Sequence, residues 1–314
     1  MDRISSLPDS ILCDILSYLP TIEAVCTSIL SRRWRHLWKD LQVFDIDFEP
    51  FRLSSKYEER HARFDSFVNA ILSQRNADSY PIQKFRLACF RSSEKSISTW
   101  LDAVIGPCLQ ELHLDLNIIS KLDDPITLPQ EIFTCPLLKS LVLEGLINLF
   151  DGPEVPNVYL PSLKNLELEI YNGDINELLS GCPAMENLKL DLEEFVFCIP
   201  QLRMPHTLKT LIFSESGDDY EETKEISVRE IYTPSLEYLL LSIESSEDPA
   251  IEPNKAELEY NGPTPATMVP NCVTSHLESF EYTGYEYSAD EDDYKQLYSD
   301  LWVTAYSYVV MFTK

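Results

Sequence analysis

The sequence predicts an α/β protein: a small three-helix segment followed by a solenoid of tandem repeats, with a parallel β-sheet on the concave face. Three observations predict this fold class. The first forty residues carry leucine and isoleucine at helical spacing, interrupted by Pro20. A six-residue apolar string then recurs every 22–29 residues. Glycine is scarce, at 8 of 314 residues, which disfavours folds that hold nucleotides in glycine-rich loops.

The composition excludes several classes of protein. Lys and Arg total 25 against 52 Asp and Glu, for a net charge of −27, which argues against binding nucleic acid or an anionic membrane. No two of the eight cysteines are closer than thirteen residues, so redox and zinc spacings do not occur. No secretory leader pattern is found, and the longest apolar run, 301–312, is too short to span a bilayer. We expect a cytoplasmic or nuclear protein with reduced thiols.

Residues 1–40 carry the signals of three short helices. Ser6 and Pro8 predict the first helix start, and Thr21 and Ser31 predict the caps of two more. Three helices in forty residues form a poor core by themselves. The surplus apolar side chains are therefore expected to cover a partner.

The same segment resembles a plant F-box. The resemblance rests on Leu7-Pro8-x-x-Ile11-Leu12-x-x-Ile15-Leu16-x-x-Leu19-Pro20 and on Ser31-Arg32-Arg33-Trp34-Arg35-x-Leu37-Trp38. It implies docking onto a Skp-type adaptor and, through that adaptor, onto a cullin-based ubiquitin ligase. The positions matching the adaptor-facing and core-forming set of the family are Leu7, Pro8, Ile11, Leu12, Ile15, Val25, Leu30 and Trp34.

Two other interpretations of this segment remain open at the level of sequence. The helices could form a capping bundle for the repeats, with the apolar residues simply buried. Arg32, Arg33, Arg35 and Lys39 could form a nucleic-acid patch, although four cations beside an acidic chain make a weak one.

The recurring string is apolar-x-x-apolar-x-apolar, and its spacing is typical of leucine-rich repeats. Stacked parallel strands explain it, because alternate side chains enter a shared core. The other interpretation is an ordinary α/β domain with parallel strands. The copies begin at Leu109, Leu138, Leu163, Met185, Leu208 and Leu236, with further copies at Ile82 and Leu277 and a degenerate first copy at Leu41.

The outward positions of the strands line the concave face of a leucine-rich repeat. We expect a target protein to bind there, with the apolar members as anchors, and the acidic rows favour a basic target. The Asn that usually follows each strand occurs once, at Asn117, which predicts irregular curvature. The candidate target-binding residues are Glu111, His113, Val142, Glu167, Lys189, Ile212, Tyr238 and Leu240.

The strings between the strands resemble the plant family that combines an F-box, leucine-rich repeats and a C-terminal FBD segment. The resembling strings start at Ile97, Leu128 and Leu178, and the string 271–282 resembles the opening FBD strand. We therefore expect an F-box at 1–45, a helical connector and degenerate first repeat at 46–80, leucine-rich repeats at 81–260, and a diverged or incomplete FBD-like segment at 261–314. The aromatic run 294–314 is expected to pack on the last repeat.

No catalytic, cofactor or metal site is predicted. The five histidines are dispersed, and no metalloprotease, serine-hydrolase or phosphate-loop string occurs. Cys13 or Cys26 could act as a thioester-forming nucleophile, but buried thiols are the simpler interpretation. The resemblance implies a non-catalytic substrate-recognition subunit of a Skp–cullin–F-box E3 ubiquitin ligase. The alternative is a repeat-based protein-binding scaffold that holds an adaptor without delivering substrates for ubiquitination.

Overall fold

A computed structural model of the chain describes residues 4, 6–52, 57–75, 80–90, 92–116, 125–150, 157–172, 175–193, 204–217, 235–245 and 279–284. The chain divides into two compact units, residues 1–163 and 164–314. The predicted positions Asn117 and 294–314 lie outside the described residues.

The first unit opens with short helices, as the sequence predicts. Helix α1 spans Asp9–Leu16 and α2 spans Thr21–Cys26, with 3-10 turns at Thr27–Ile29 and Leu37–Asp40. Pro8 occupies the N-cap position of α1 without a side-chain cap, so the predicted cap at Ser6 is wrong. The third predicted helix is a series of turns before the second 3-10 turn.

Thr21 has a different role from the predicted helix cap. It is the first residue of α2, and its buried Oγ1 accepts a hydrogen bond from the backbone N–H of Asp45 at 2.8 Å. Its hydroxyl thus joins the helical segment to the first strand. Local helix rules could not reveal this bond, because its partner lies 24 residues away.

Parallel strands form the sheet of the first unit. Their order is β1 (Val43–Asp47), β2 (Lys84–Ala88), β3 (Glu111–Leu116) and β5 (Ser140–Asn148), with the short β4 (Ile126–Thr127) also paired to β5. The predicted repeat leucines align on neighbouring strands, Leu112 beside Leu141. The buried row runs through Phe44, Phe85, Leu112 and Leu141.

Strand β1 crosses the boundary predicted between residues 45 and 46. The string starting at Leu41 contributes Phe44 and Ile46 to the core, and both are almost fully buried. The helical segment therefore runs directly into the first strand, and a cut at residue 45 would divide β1.

Two longer helices pack together in this unit. Helix α3 spans Tyr57–Ser73, and α4 spans Glu94–Val104, where Ser93 Oγ accepts from the N–H of Ser96. Trp100 of α4 is buried, and its indole N–H donates to Asn69 of α3 at 2.8 Å. Phe64 meets the Trp100 ring edge-on, so one indole links both helices.

The second unit also consists mainly of parallel strands. Its parallel strands are β6 (Asn165–Asn172), β7 (Asn187–Glu193), β8 (Thr210–Gly217), β9 (Tyr238–Ser245) and β10 (Ser279–Gly284), with α5 (Ile175–Ser180) between β6 and β7. Leu166 and Leu188 lie side by side and buried, as the repeat spacing predicts. Asp174, which precedes α5 and is of a residue type that favours helix N-caps, lies outside the described residues.

Candidate partner-binding surfaces

The helical segment exposes an unusual share of apolar side chains. Of the nine large hydrophobic residues exposed in the described part of the chain, six belong to residues 4–30. Exposed apolar side chains concentrated in one short segment favour an interaction site there. We call these six residues the apolar N-terminal surface: Ile4, Ile11, Ile15, Tyr18, Ile29 and Leu30.

Helical periodicity explains part of this surface. Ile11, Ile15 and Tyr18 follow the i, i+4, i+7 spacing of one helix face, and Tyr18 is 88% exposed. Leu12 and Leu16 lie on a different face of α1 and are buried. The same spacing could have revealed Tyr18 from the sequence. Ile4 and Ile29 lie outside α1 and carry no such signal.

The structure divides the eight predicted adaptor-binding residues into three groups. Pro8, Ile11, Ile15 and Leu30 are exposed, while Leu7 and Val25 are half-buried. Leu12 and Trp34 are 0% and 6% exposed, which makes them the core-forming members of the predicted set. Any effect of these two on docking is transmitted through the packing of the helices.

Arg33 fixes the start of α1. Its Nε and Nη2 donate to Asp9 Oδ1 at 2.8 and 2.5 Å, and Nη2 also donates to the carbonyl of Leu7. The guanidinium therefore holds both the helix start and the Leu7–Pro8 element. Asp9 compensates the charge of Arg33. The nucleic-acid patch considered from the sequence therefore loses one of its four cations.

Arg75 holds the end of the helical segment against the sheet. Its Nη1 donates to the carbonyls of Lys39 and Leu41 at 3.0 and 2.7 Å, and its guanidinium lies 4.8 Å from the Phe44 ring centre. Burial lowers the pKa of Arg75, and the nearby Asp40 opposes this shift. The helices and β1 are thus joined by hydrogen bonds as well as by packing.

The half-exposed face of the first sheet carries charges that largely compensate one another. Burial favours a lower pKa for Arg86, but hydrogen bonds to Asp45 and Asp47, at 2.9 and 3.1 Å, outweigh it and raise the pKa. Glu111 pairs with Lys84 at 2.7 Å. His113 Nε2 is 3.5 Å from Glu144 Oε1, a contact that is an ion pair only when the imidazole is protonated.

On the neighbouring strand β5, the position beside His113 on this face is apolar. Val142 lies beside His113 in the strand register and is half-exposed. The structure thus brings three predicted target-binding residues, Glu111, His113 and Val142, onto two neighbouring strands.

The strands of the second unit present one outward row across four neighbouring strands. Glu167, Lys189, Ile212 and Leu240 lie side by side in register, and Tyr238 is two positions before Leu240 on β9. Lys189 forms an ion pair with Glu167. The row changes along its length from a charged pair to apolar side chains.

Three cysteines have environments unsuited to nucleophilic chemistry. Burial raises the pKa of the Cys89 and Cys182 thiols to about 12. Burial, together with Asp40, Asp9 and Asp14, also raises the pKa of Cys13. A raised pKa leaves little thiolate, which argues against Cys13 as a thioester-forming residue.

We expect maleimide at pH 8 to label Cys26 in the native protein and to leave Cys89 and Cys182 unmodified. Cys26 is exposed, whereas the other two are buried. A thiol of pKa about 12 is only about one part in ten thousand thiolate at pH 8. Peptide mass spectrometry after timed quenching measures this, with denatured protein as the control. Equal labelling rates at Cys26 and Cys89 would contradict the structure.

The described residues contain no group of three His, Cys, Asp or Glu side chains placed to hold a metal ion. Among the helices that the structure describes, none is long and apolar enough to cross a membrane.

Comparison with known proteins decides the family. The F-box domain matches residues 4–45, and the family described as FBD-associated F-box protein At5g56370, LRR repeats, matches residues 97–256, half of the chain. This chain belongs to the plant F-box/FBD/LRR-repeat family. Within this F-box protein, the apolar N-terminal surface therefore lies on the F-box, and the predicted strand positions between 97 and 256 lie on its repeats.

Relatives of this F-box/LRR-repeat protein occur in Arabidopsis thaliana. F-box/LRR-repeat protein At4g14103 is 33% identical over 76% of this chain and 61% of its own length. F-box/LRR-repeat protein 13 is 36% identical over 77% and 52%, and F-box/LRR-repeat protein At3g59200 is 31% identical over 94% and 55%. The chain thus spans about half the length of the curated relatives it matches.

Proposed function

We propose that this F-box protein is the substrate-recognition subunit of a Skp–cullin–F-box E3 ubiquitin ligase. The observation that carries the proposal is the apolar N-terminal surface, which lies on the F-box. In this proposal the F-box docks a Skp-type adaptor, the adaptor brings a cullin, and the repeats bind a target protein. The chain itself is non-catalytic and supplies proximity and orientation to catalytic subunits.

The physical argument for docking is the free energy of burying apolar surface. Covering exposed side chains such as Ile11 and Ile15 stabilises a complex by about 25 cal/mol per Å², and interface energy concentrates in a few such anchors. Arg33 holds the neighbouring Leu7–Pro8 element in place before binding. Less conformational freedom is then lost when the adaptor docks.

The target-binding part of the proposal rests on the outward strand positions. Ile212, Tyr238 and Leu240 form its apolar anchor group on two neighbouring strands. Glu167 and Lys189 flank this group as an ion pair, and Glu111, His113 and Val142 form a separate set in the first unit. A basic target remains a prediction, since Glu111 and Glu167 already face cations. Recovery of the target that is indifferent to salt would contradict it.

The deciding experiment combines co-purification with target accumulation. The full chain, expressed in plant cells, is expected to recover a Skp-type adaptor and a cullin. Proteins labelled by proximity to the chain are expected to accumulate when the chain is deleted. Recovery of the adaptor without accumulation of any labelled protein would instead support the scaffold interpretation, in which no substrate is delivered.

We expect Ile212→Ser/Leu240→Ser to lose most target labelling while adaptor recovery is unchanged. Removing two neighbouring apolar anchors is expected to weaken target binding by about 2–4 kcal/mol. The matched control is Leu137→Ser/Tyr159→Ser, which removes two exposed apolar side chains outside the strands. Equal target labelling by both variants would show that these strand positions are not the anchor group.

The proposal places the protein in the cytoplasm or nucleus. The six cysteines that the structure describes are all free thiols, which fits a reducing compartment.

A further inference from the structure

Seven of the fifteen lysines and arginines in the described part of the chain form an ion pair with an acidic neighbour. The ion-paired cations are Arg33, Arg52, Lys84, Arg86, Lys164, Lys189 and Lys209, each with an Asp or Glu within 4 Å. This is expected where acidic residues outnumber basic ones by two to one. An exposed cation that has no such partner within the described residues is available to a carboxylate of another protein.

Arg32 and Arg35 are such cations. Both are exposed, and neither has a hydrogen bond or ion pair within the described part of the chain. They flank Arg33 in sequence, yet only Arg33 reaches Asp9. The turns at residues 32–36 thus use one guanidinium to hold α1 and leave two facing solvent.

These two arginines closely follow, in sequence, a strongly exposed part of the apolar N-terminal surface. Ile29 is 86% exposed and Leu30 is exposed as well, two residues before Arg32. Apolar residues with charged residues at their margin are the usual composition of a protein interface, with an apolar centre and a polar rim. Because they follow Ile29 and Leu30 closely in the chain, Arg32 and Arg35 are candidates for the rim of the docking surface.

We propose that Arg32 and Arg35 form a cationic rim of the F-box surface and pair with acidic side chains of the docked Skp-type adaptor. This inference rests on the proposed function and adds the charge of the partner surface. It also assigns the two arginines a role distinct from that of Arg33, which is internal to the F-box.

The net charge of the whole chain indicates how a cationic rim would contribute to docking. A net charge of −27 repels an acidic partner at long range. In this proposal, two guanidinium groups without internal carboxylate partners add local positive charge near the apolar residues and orient the partner as it approaches. Charges at the margin of an interface act mainly on the rate of association and on its salt dependence.

The test uses the full chain and a purified plant Skp-type adaptor, with association and dissociation rates measured by surface plasmon resonance at low and high salt. Arg32→Glu/Arg35→Glu is expected to slow association by about tenfold at low salt, with a smaller change in dissociation. The difference from wild type should shrink at high salt because screening weakens exposed charges.

Two further variants make the result specific. Lys95→Glu/Lys139→Glu introduces the same change in net charge at exposed lysines outside the F-box, and it is expected to associate at nearly the wild-type rate. Arg32→Lys/Arg35→Lys keeps both charges and is expected to retain most of that rate.

The outcomes separate this inference from the proposed function. Normal adaptor binding by the Arg32→Glu/Arg35→Glu variant at both salt concentrations would overturn the cationic rim and leave the proposed function standing. Equal slowing by the two charge-reversed pairs would also overturn it, since net charge alone would then explain the effect. Failure of the wild-type chain to bind the adaptor at all would instead overturn the proposed function.

Discussion

Replacing Leu7 and Pro8 by alanine is expected to weaken binding of a Skp-type adaptor by about 2–4 kcal/mol, which is roughly 30- to 1,000-fold in Kd. Pro8 is exposed at the start of α1, and the carbonyl of Leu7 is held by Arg33. The double variant removes apolar contact surface from an element that is already fixed in place. Isothermal titration with the purified adaptor measures the change.

A second variant separates lost contact from lost folding. Pro8 also occupies the N-cap position of α1, so its replacement could loosen the helix. Ile11→Ser/Ile15→Ser removes exposed side chains from within α1 and leaves the cap intact. Wild-type affinity in both double variants, each with a normal thermal unfolding transition, would show that the adaptor docks elsewhere.

Leu12→Ala is expected to lower the free energy of unfolding of the first unit by about 2–5 kcal/mol. Leu12 is fully buried on the inner face of α1, so truncation leaves a cavity as well as removing apolar burial. Urea unfolding followed by tryptophan fluorescence measures the loss, because Trp34 and Trp38 are buried in the same segment.

Ile11, the residue before Leu12, provides the matched control for Leu12→Ala. Ile11 is 43% exposed, so Ile11→Ala is expected to change stability by less than about 1 kcal/mol while weakening adaptor binding. Leu12→Ala is expected to show the reverse, with adaptor affinity close to wild type in the fraction that remains folded. Equal destabilisation by the two variants would contradict the orientation of α1.

The repeat strands are the part of the fold that the sequence predicted best. The strings at Leu109, Leu138, Leu163 and Met185 each place a leucine at the fourth position, and those leucines are buried in the strands. Local spacing suffices here because a strand alternates its side chains regardless of its neighbours. Even the degenerate copy at Leu41 forms a paired strand.

The division of the helical segment into core and surface was harder to predict. Helical spacing shows that Ile11 and Leu12 point in different directions, but it does not say which side meets the sheet and the other helices. The prediction therefore grouped buried Leu12 and Trp34 with exposed residues. Burial is a property of the packed unit, and the tertiary structure alone assigns it.

Polar contacts between residues far apart in the chain could not be predicted from the sequence. Arg33 was counted with three other cations, but its partner Asp9 lies 24 residues earlier. Thr21 was predicted to cap a helix that lies beside it in sequence, whereas its hydroxyl accepts a bond from β1. In both cases the polar group satisfies a donor or acceptor that only folding brings within reach.

The sequence by itself determined the spacing of the apolar strings and the resemblance to an F-box/FBD/LRR-repeat family. The spacing depends on the alternation of side chains along each strand, which is a local property of the backbone, and the resemblance depends on the residues of each motif. The tertiary structure decided which apolar residues of the F-box face solvent and which arginine holds α1. It also showed which carboxylates of the sheet faces are already paired. These depend on distances between residues far apart in the chain, and only packing fixes such distances.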